Sequence, residues 1–454
     1  MALTEAGFTE MGAAQEGPTA SGATESGAIE AGAAESGPTA IGVTESGGFA
    51  GTGVCAPLGF RAGTAAAGIR DGDLSRDDIA VVMSDRPCAG AGVFTQNLVK
   101  AAPVVISQLT LRRGTPIHAV VLNSGNANAC TGKQGERDAL AMCRLAAKVA
   151  GCEARLILPS STGIIGQTLP MEKVRRGIER AGRSLGESAK HAAGFADAIM
   201  TTDTRRKSAA VRCKIGRESM TLAGVCKGSG MIGPRLIAAG RHATMLAYLT
   251  TDAKIAPPLL RRCLLAAAEQ SFNAVTVDDH TSTNDTVAIL ASGFGAAVES
   301  PRAVKVFAAA LDAVCQDLAR QIAADGEGAT KMVRINVHQA KSERDAKMIA
   351  RAIANSPLVK CAMHGNDPNW GRIVSAAGMC LAAFDPDKCT LQLQGTAVFR
   401  GGQPVQFNTA AISRALAAKE VVVDLRCGLG AASATVWTCD LSKDYVTINA
   451  EYHT

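Results

Sequence analysis

Segments with helical periodicity alternate with short β-rich runs along most of this chain, and that alternation constrains its fold more than any other feature. Apolar residues recur at helical spacing at 133–151, 171–185, 257–273 and 301–325. Runs typical of β-strands lie at 118–125, 155–162, 332–340, 390–395 and 420–428. Because both kinds of segment occur in both halves, we predict an α/β (mixed α+β) fold of layered sheets and helices.

The first 49 residues depart from this pattern. Glycine occupies every fifth position from Gly7 to Gly47, and the segment contains seven Glu but no Lys, Arg or Asp. Too few side chains could be buried there to offset the entropy lost on ordering, so we predict a disordered acidic tail at 1–49. The tail has neither the apolar core of a secretory signal nor the arginines of a mitochondrial transit peptide. We therefore expect a cytoplasmic protein.

The composition excludes several classes of function. No apolar run reaches the roughly 18 residues that indicate a membrane span. The 14 cysteines occur singly, without a CxxC pair, which favours reduced thiols and argues against a metal site. The net charge is +6, but no basic run is interleaved with aromatic residues, so small anionic substrates are favoured over nucleic acid.

The run GSGMIG, Gly228 to Gly233, satisfies the pattern of a dinucleotide-binding loop. The run TLAGV before it is strand-like, Pro234 could open a helix, and Asp252 is suitably spaced for a ribose contact. However, the chain contains 47 glycines, so chance matches are expected, and no clear βαβ return follows. Lys227, directly before the motif, has no role in that mechanism. A nicotinamide-dependent oxidoreductase is one alternative, and a plain tight turn is another.

Thr244 stands in the run ATML, directly after the small residue Ala243. A chain cut between these two residues would supply an α-amine with a reference pKa of about 7.7–8.0. That amine could accept the proton of the threonine hydroxyl and make it a nucleophile. The small Ala243 would help the backbone bend for the acyl shift that such a cut requires. A half-buried packing threonine is the alternative that residue type alone leaves open.

Twelve short motifs occur in a fixed order from Gly59 to Thr454. In chain order they are GFRAG, NSGNANACTG, SSTGIIG, IMTTDT, KGSGMI, ATML, TTDA, STND, DGEGATK, NSPLVK, DPNWGR and YVTINAEYHT. Together they resemble the ornithine acetyltransferase (glutamate N-acetyltransferase) family of arginine biosynthesis. The resemblance covers everything except the N-terminal tail. It implies the layered fold of that self-processing family.

The resemblance implies a precursor that cuts itself between Ala243 and Thr244. The products would be an α chain, 50–243 after the tail, and a β chain, 244–454. Thr244 would take the acetyl group from N2-acetylornithine and pass it to glutamate through an acetyl-threonine ester, a ping-pong mechanism. No metal or redox cofactor is implied. Use of acetyl-CoA as a second donor stays open, and the implied assembly is a heterotetramer, a dimer of αβ units.

The same resemblance assigns an oxyanion hole and a lysine. Thr162 and Gly163 of SSTGIIG match the family's oxyanion hole, where a hydroxyl and a backbone N–H would stabilise the developing charge. A strand end followed by a turn is the alternative for this text. Lys227 matches the family's lysine near the nucleophile, where it could keep the amine neutral or hold a substrate carboxylate. A solvated surface lysine is its alternative.

Four further residues match the family's substrate contacts. Thr201 does so in IMTTDT, with Thr202 as the neighbouring candidate. Glu327 lies in the glycine-flanked loop DGEGATK, where its carboxylate suits the ammonium groups of ornithine, although a solvated loop glutamate would look the same. Asn449 and Thr454 match contacts at the C-terminus. Because termini usually fray, we expect a last strand that is pinned into the site.

Two departures from the family pattern leave alternatives open. Lys227 and Thr244 are 17 positions apart, about six more than is usual, although a flexible insertion would cost little closure entropy. His280 stands where the family commonly has an acidic residue, which leaves the local charge near STND open. Another N-terminal-threonine aminopeptidase or amidase is one alternative. A non-enzymatic relative, with cleavage blocked and the tail as an interaction arm, is the other.

Overall fold

Two β-sheets with helices packed against them form the structure, a computed structural model that describes residues 53–233, 236 and 245–451. These residues belong to one compact unit. The predicted tail at 1–49 lies outside the described residues. So does the predicted junction between the α chain, which ends at Ala243, and the β chain, which begins at Thr244, and so does Thr454.

The strands are β1 (Phe60–Ala65), β2 (Ile79–Phe94), β3 (Ile117–Asn123), β4 (Ile157–Ser161), β5 (Lys207–Ile215), β6 (Glu218–Lys227), β7 (Leu246–Thr251), β8 (Thr286–Ala291), β9 (Met332–Ala340), β10 (Thr390–Leu393), β11 (Thr396–Arg400), β12 (Gln403–Pro404), β13 (Glu420–Arg426) and β14 (Ala432–Cys439). The helices are α1 (Ala102–Arg112), α2 (Gly132–Ala150), α3 (Met171–Arg183), α4 (Ala189–Ala198), α5 (Pro257–Glu269), α6 (Pro301–Ala324), α7 (Glu343–Asn355), α8 (Pro357–His364), α9 (Trp370–Gly378), α10 (Thr409–Ala415) and α11 (Lys443–Glu451).

The first sheet has the strand order β4-β3-β2-β8-β7-β6-β5, and β1 pairs with β2. Strands β7 and β8 are parallel neighbours at its centre, and all their residues are buried. Successive side chains of β8 enter different cores: Val287 and Ile289 pack in one cluster with α5 and α6, and Ala288 and Leu290 pack in another. Burial on both faces explains why apolar residues predominate in these strands instead of alternating with polar ones.

The second sheet has the order β12-β11-β10-β13-β9-β14. Its parallel pair is β9 with β13, and β14 lies antiparallel to β9 at the edge. Helices α7, α8 and α9 contribute to its core, which includes Ile335 of β9 and Ile349 of α7. Helix α6 contacts both sheets, because it packs on β5 and β6 as well as on β14 and β9.

The mixed α/β class predicted from the sequence is confirmed. All four predicted helices are present as α2, α3, α5 and α6, and the five predicted strands are present as β3, β4, β9, β10 and β13. Helical periodicity was reliable here because each helix buries one face: α6, for example, buries Phe307, Leu311 and Leu318. No helix in the described part of the chain is long and apolar enough to cross a membrane.

The expected final strand is wrong, because Lys443–Glu451 form helix α11. The β-branched text YVTIN favours a strand locally, but helix spacing puts Tyr445 and Asn449 on the same face. The Asn449 side chain donates to the Tyr445 carbonyl at 2.9 Å, and the Ser442 hydroxyl accepts the Asp444 N–H at 3.1 Å near the start of the helix. The Asn449 amide also donates to the carboxylate of Glu327, 122 positions away, so a tertiary contact opposes the local strand propensity.

The dinucleotide-loop alternative is also wrong. The strand TLAGV exists within β6, but β6 and β7 are antiparallel neighbours, whereas a dinucleotide fold requires a crossover to a parallel strand. Asp252 follows the end of β7 that is distant from Lys227. Its carboxylate accepts the N–H groups of Thr221 at 2.7 Å and Leu58 at 3.3 Å, so it is structural.

The extra residues before Thr244 fall between two paired positions. Lys227 ends β6 and lies directly opposite Leu246, which opens β7. Leu236, within the longer connection, is buried in the core, and its backbone N–H and C=O are both bound by the side chain of Asn273. The insertion therefore leaves Lys227 in register with the strand that follows Thr244.

Candidate active site

A cavity of about 140 Å³ brings together six of the residues predicted from the sequence: Thr162, Gly163, Thr201, Lys227, Glu327 and Asn449. The rest of its lining consists of Ala127, Ile165, Thr202, Gly230, Met231, Ser282, Thr283 and Asn284. The sixth-to-last residue, Asn449, thus reaches the cavity from helix α11. The predicted residues Ala243, Thr244 and Thr454 lie outside the described residues, so their placement stays a prediction.

The start of β7 lies beside this cavity in the sheet. Met245, the residue after Thr244, is fully buried, and its carbonyl accepts the Thr286 N–H at 2.9 Å. Leu246 pairs with Lys227 on one side and with Thr286 on the other. Thr244 therefore precedes a strand that lies between β6 and β8. Strand β6 ends at Lys227, which lines the cavity, and β8 begins two residues after Asn284, which also lines it.

The turn after β4 holds Thr162 and Gly163. The Thr162 N–H donates to the Asn123 carbonyl at 3.0 Å. Gly163 has φ +130°, and a Cβ there would lie 2.3 Å from the backbone carbon of Gly125, so no other residue fits. Among the described residues, no acceptor takes the Gly163 N–H. Gly163 lines the cavity, and a backbone N–H without a protein partner is a donor that an oxyanion hole requires.

Asn284 of the STND motif holds this turn in place from the opposite wall. Its side-chain amide donates to the carbonyls of Ala127 at 2.7 Å and Ser161 at 2.8 Å. Ser161 directly precedes Thr162, so the bond to its carbonyl fixes the peptide that leads into the turn of Thr162 and Gly163, and the other bond ties Asn284 to Ala127. The sequence marked STND as a motif but did not indicate this role.

Lys227 is buried, with 4% of its surface exposed, so the surface-lysine alternative is wrong. Its Nζ lies 3.4 Å from the Thr162 hydroxyl oxygen. Burial lowers the pKa of Lys227, and the carboxylates of Asp203, Asp285 and Glu327 oppose that decrease. A cation that donates to the Thr162 oxygen would leave the hydroxyl proton of Thr162 free to point elsewhere.

Asp285 is a carboxylic acid that the sequence analysis did not single out. It is fully buried, and neither of its carboxyl oxygens has a hydrogen-bond partner in the described part of the chain. The hydroxyl of Thr95 donates instead to the Ser282 carbonyl at 2.6 Å. Burial raises the pKa of Asp285 well above its ordinary value, although Lys227 opposes the increase. Burial therefore disfavours the charged form of Asp285, and the nearby Lys227 ammonium favours it.

Glu327 lies in the loop after α6, with 8% of its surface exposed, so it is not a solvated loop residue. Its N–H donates to the Ser229 carbonyl at 3.0 Å, and its Oε2 accepts the Asn449 amide at 2.8 Å. A Cβ on Gly230 would lie 2.2 Å from the Glu327 carboxyl group. The glycine of GSGMIG thus makes room for a carboxylate, and a carboxylate in that position would repel a pyrophosphate.

Replacing Gly230 with alanine tests this close approach. The new methyl group would displace the Glu327 carboxyl, so we expect kcat/KM for acetyl transfer to fall about 100-fold, because displacements near 1 Å are costly at a reacting centre. Gly378→Ala is the matched control, because a Cβ there meets nothing within 4 Å. Steady-state kinetics on both variants measure the effect. Equal activity of the two variants would contradict it.

Two aspartates hold the backbone of the loops that line the cavity. Asp203 accepts the N–H of Thr201 at 3.1 Å, and Asp278 accepts those of Met231 at 2.7 Å and Ile232 at 2.8 Å. Asp203 lies in the motif IMTTDT, but nothing in the sequence separated it or Asp278 from solvated acids. The side chain of His280 is exposed, so the departure at that position adds no imidazole to the cavity.

Within the described ranges, no group of His, Cys, Asp and Glu is arranged to hold a metal ion. The cysteines of this part of the chain are all free. The polar side chains that line the cavity carry hydroxyl, amide, ammonium and carboxylate groups. Such groups can bind an amino acid and stabilise an oxyanion.

The family model and the relatives that we compared with this chain indicate the same family. The model of the ArgJ family matches residues 61–454. The arginine biosynthesis bifunctional protein ArgJ of Symbiobacterium thermophilum is 47% identical over 408 residues, covering 88% of this chain and 98% of the relative. Its counterpart in Gloeobacter violaceus is 42% identical over 410 residues, covering 88% and 98%.

Among solved structures, the ornithine acetyltransferase of Mycobacterium tuberculosis complexed with ornithine is 40% identical, with a TM-score of 0.39 over 41% of this chain and 96% of that one. The arginine biosynthesis bifunctional protein of Bacillus halodurans is 36% identical, with a TM-score of 0.43 over 45% and 97%. The family assignment rests on the matched family model and on the identity to full-length relatives: this chain is a member of the ArgJ family.

Proposed function

We propose that the chain transfers the acetyl group of N2-acetylornithine to glutamate in arginine biosynthesis, after self-cleavage between Ala243 and Thr244. Membership of the ArgJ family supports acetyl transfer in that pathway. The observation that carries the residue assignments is the convergence of six predicted residues on one cavity beside the strand that follows Thr244.

In the first half-reaction, the hydroxyl oxygen of Thr244 attacks the acetyl carbonyl carbon of acetylornithine. The freed α-amine of Thr244 accepts the hydroxyl proton. The carbonyl oxygen becomes an oxyanion, which the Gly163 N–H and the Thr162 hydroxyl stabilise; loss of one such donor costs roughly 10²–10³ in kcat. Collapse breaks the C–N bond, the α-ammonium returns its proton to the departing nitrogen, and ornithine leaves.

In the second half-reaction, the α-amine of glutamate attacks the acetyl-threonine ester. The same oxyanion hole stabilises the second tetrahedral intermediate, because the reacting carbon occupies the same place. The C–O bond to Thr244 then breaks, and a proton from the attacking amine returns the threonine to its hydroxyl form. The products are N-acetylglutamate and free enzyme, so neither a metal nor a redox cofactor is consumed.

Charge complementarity supports the substrate assignments. Lys227 is a buried cation suited to the α-carboxylate that both substrates share, and Thr201 lines the same wall. Glu327, held by Asn449, suits the side-chain ammonium group that only acetylornithine carries. We propose that Thr454 completes this end of the site. Both substrates would therefore bind Lys227 through the α-carboxylate, whereas only acetylornithine would bind Glu327.

Glu327→Gln tests that difference. Loss of the carboxylate should raise KM for acetylornithine at least tenfold, whereas KM for glutamate should change much less, since a hydrogen-bonded charge contributes about 1.5–3 kcal/mol. Glu451→Gln removes a carboxylate from an exposed position on the same helix as Asn449 and is the control. Initial rates with each substrate varied in turn measure both constants. An equal rise for both substrates would contradict the assignment.

The proposed activity is tested by following acetyl transfer from acetylornithine to glutamate with the purified chain. Acetyl-CoA as donor is a separate arm, which decides between one activity and two. Hydrolysis of amino-acid amides without transfer would support the aminopeptidase or amidase alternative instead. Sedimentation of the cleaved protein tests the proposed dimer of αβ units, and cell fractionation tests the proposed cytoplasmic location.

A further inference from the structure

Three charged side chains form a buried cluster behind the cavity, which we call the buried ion cluster: Asp203, Lys207 and Asp325. The Lys207 Nζ lies 2.6 Å from the Asp203 Oδ1 and 2.5 Å from the Asp325 Oδ2. At most 3% of any of these side chains is exposed. Such a group is costly to desolvate, and its members must be well paired to persist.

Asp203 has two further hydrogen bonds, and both go to the backbone of the candidate active site. Its Oδ2 accepts the Thr201 N–H at 3.1 Å. Its Oδ1 accepts the Gly228 N–H at 2.6 Å, in addition to the Lys207 ammonium. Gly228 directly follows Lys227, so a single carboxylate joins the two segments that carry Thr201 and Lys227.

Asp325 connects the same cluster to the third segment of the site. Its backbone carbonyl accepts the Ser229 hydroxyl at 2.6 Å, and Ser229 in turn accepts the Glu327 N–H at 3.0 Å. The side chain of Asp325 also accepts from the backbone N–H of Thr204 at 3.2 Å. The buried ion cluster is therefore bonded to all three loops that present Thr201, Lys227 and Glu327.

We propose that Asp203 is a positioning residue, which sets the distance between Thr201 and Lys227 and supports the charge of Lys227. This inference rests on the substrate-binding roles proposed for those two residues. A side chain that is locked by several hydrogen bonds holds the groups bonded to it in one geometry. Asp203 is not itself among the residues that line the cavity; it acts through the backbone N–H groups of Thr201 and Gly228.

The charges around Lys227 give Asp203 its second effect. Burial alone would raise the pKa of Asp203, but Lys207 and Lys227 lower it to about 2, so Asp203 is ionised at neutral pH. Lys227 is influenced by Asp203, Lys207, Asp285 and Glu327. The negative charge of Asp203 supports the protonated form of Lys227 and opposes the effect of burial. Removal of that charge should therefore lower the pKa of Lys227 further.

The test is Asp203→Asn in the full chain. We expect KM to rise about 10-fold or more for both acetylornithine and glutamate, as is typical when residues that orient a site are changed. We also expect the alkaline limb of the pH profile of kcat/KM to move to lower pH, because Lys227 would lose its proton earlier. Asp203→Glu retains the charge but moves the carboxylate, so it should raise KM and leave the alkaline limb in place.

Val211→Ala is the control for lost stability. Val211 is a buried apolar residue on β5, the strand that begins with Lys207. This variant should lower the thermal midpoint with no change in KM or in the pH profile. If Asp203→Asn behaved like Val211→Ala, with lowered stability and unchanged KM and pH profile, the positioning role would be refuted. A soluble Asp203→Glu with an unchanged KM would refute it as well.

Thr201→Ala and Lys227→Met separate this inference from the proposed function. If these two variants retained normal KM values, the substrate-binding roles themselves would fail. If they raised KM but both Asp203 variants did not, only the positioning role would fail. Each pattern of results therefore contradicts a different statement.

Discussion

Thr244→Ala is expected to leave the 454-residue chain uncut and to abolish acetyl transfer. The substitution removes the hydroxyl that would attack both the scissile peptide bond and the acetyl group. Removal of a nucleophile that acts with its own base costs roughly 10⁴–10⁶ in kcat. A denaturing gel and N-terminal sequencing follow cleavage, and transfer from acetylornithine to glutamate follows activity. The wild-type chain should give fragments 1–243 and 244–454 with Thr244 as a new N-terminus.

Thr244→Ser is the matched control, because it retains a hydroxyl at the same position. It should be cleaved and should keep measurable transfer activity. Activity of Thr244→Ala at the wild-type level would refute the nucleophile. An uncut wild-type chain with full activity would refute the role of the α-amine as base, and an uncut, inactive one would favour the non-enzymatic alternative.

Lys227→Met should have the second largest effect, a loss of about 10²–10³ in kcat/KM. The variant removes the proposed anchor for the substrate carboxylate and the cation 3.4 Å from the Thr162 hydroxyl. The profile of the wild-type enzyme should fall on its alkaline side at a pH below that of an ordinary lysine, because burial lowers the pKa of Lys227. The residual activity of the variant should lack that alkaline limb.

Stability distinguishes this loss from misfolding. A lysine whose pKa is lower in the folded state binds fewer protons there than in the unfolded chain, so its charge opposes folding below that pKa. Lys227→Met should therefore not reduce the free energy of unfolding at neutral pH. Lys214→Met, on the exposed part of β5, removes the same charge far from the cavity lining and should leave kcat/KM unchanged. A large loss of stability in Lys227→Met, or a retained alkaline limb, would contradict the assignment.

Local patterns were sufficient for most of the elements. Helices with one buried face, such as α6, and strands rich in apolar residues, such as β3, follow directly from the pattern of their residues. Helix α11 was not predicted because its β-branched residues favour a strand. The helix also makes a hydrogen bond from Asn449 to Glu327, which lies 122 positions away in the chain, and a contact over that distance cannot be read from the local sequence.

The dinucleotide motif shows the same limit in a different form. The glycines of GSGMIG are as necessary as the pattern suggests, but Gly230 admits the Glu327 carboxyl rather than a phosphate. The spacing of the glycines indicates only that another group must approach the backbone closely. The antiparallel pairing of β7 with β6 excludes the dinucleotide fold, and the group that approaches Gly230 is the Glu327 carboxyl.

The sequence by itself determined the mixed α/β class, the family resemblance and the identity of the candidate site residues, because each depends on residue type and order. Only the tertiary structure decided which charges are buried and what they touch. Asp203 and Lys227 look like solvated residues in the sequence. In the structure, the ionised side chain of Asp203 forms an ion pair with Lys207, and Lys207 also pairs with Asp325, which lies 118 positions further along the chain. Burial and pairing depend on segments distant in the chain, and these set the electrostatics of the site.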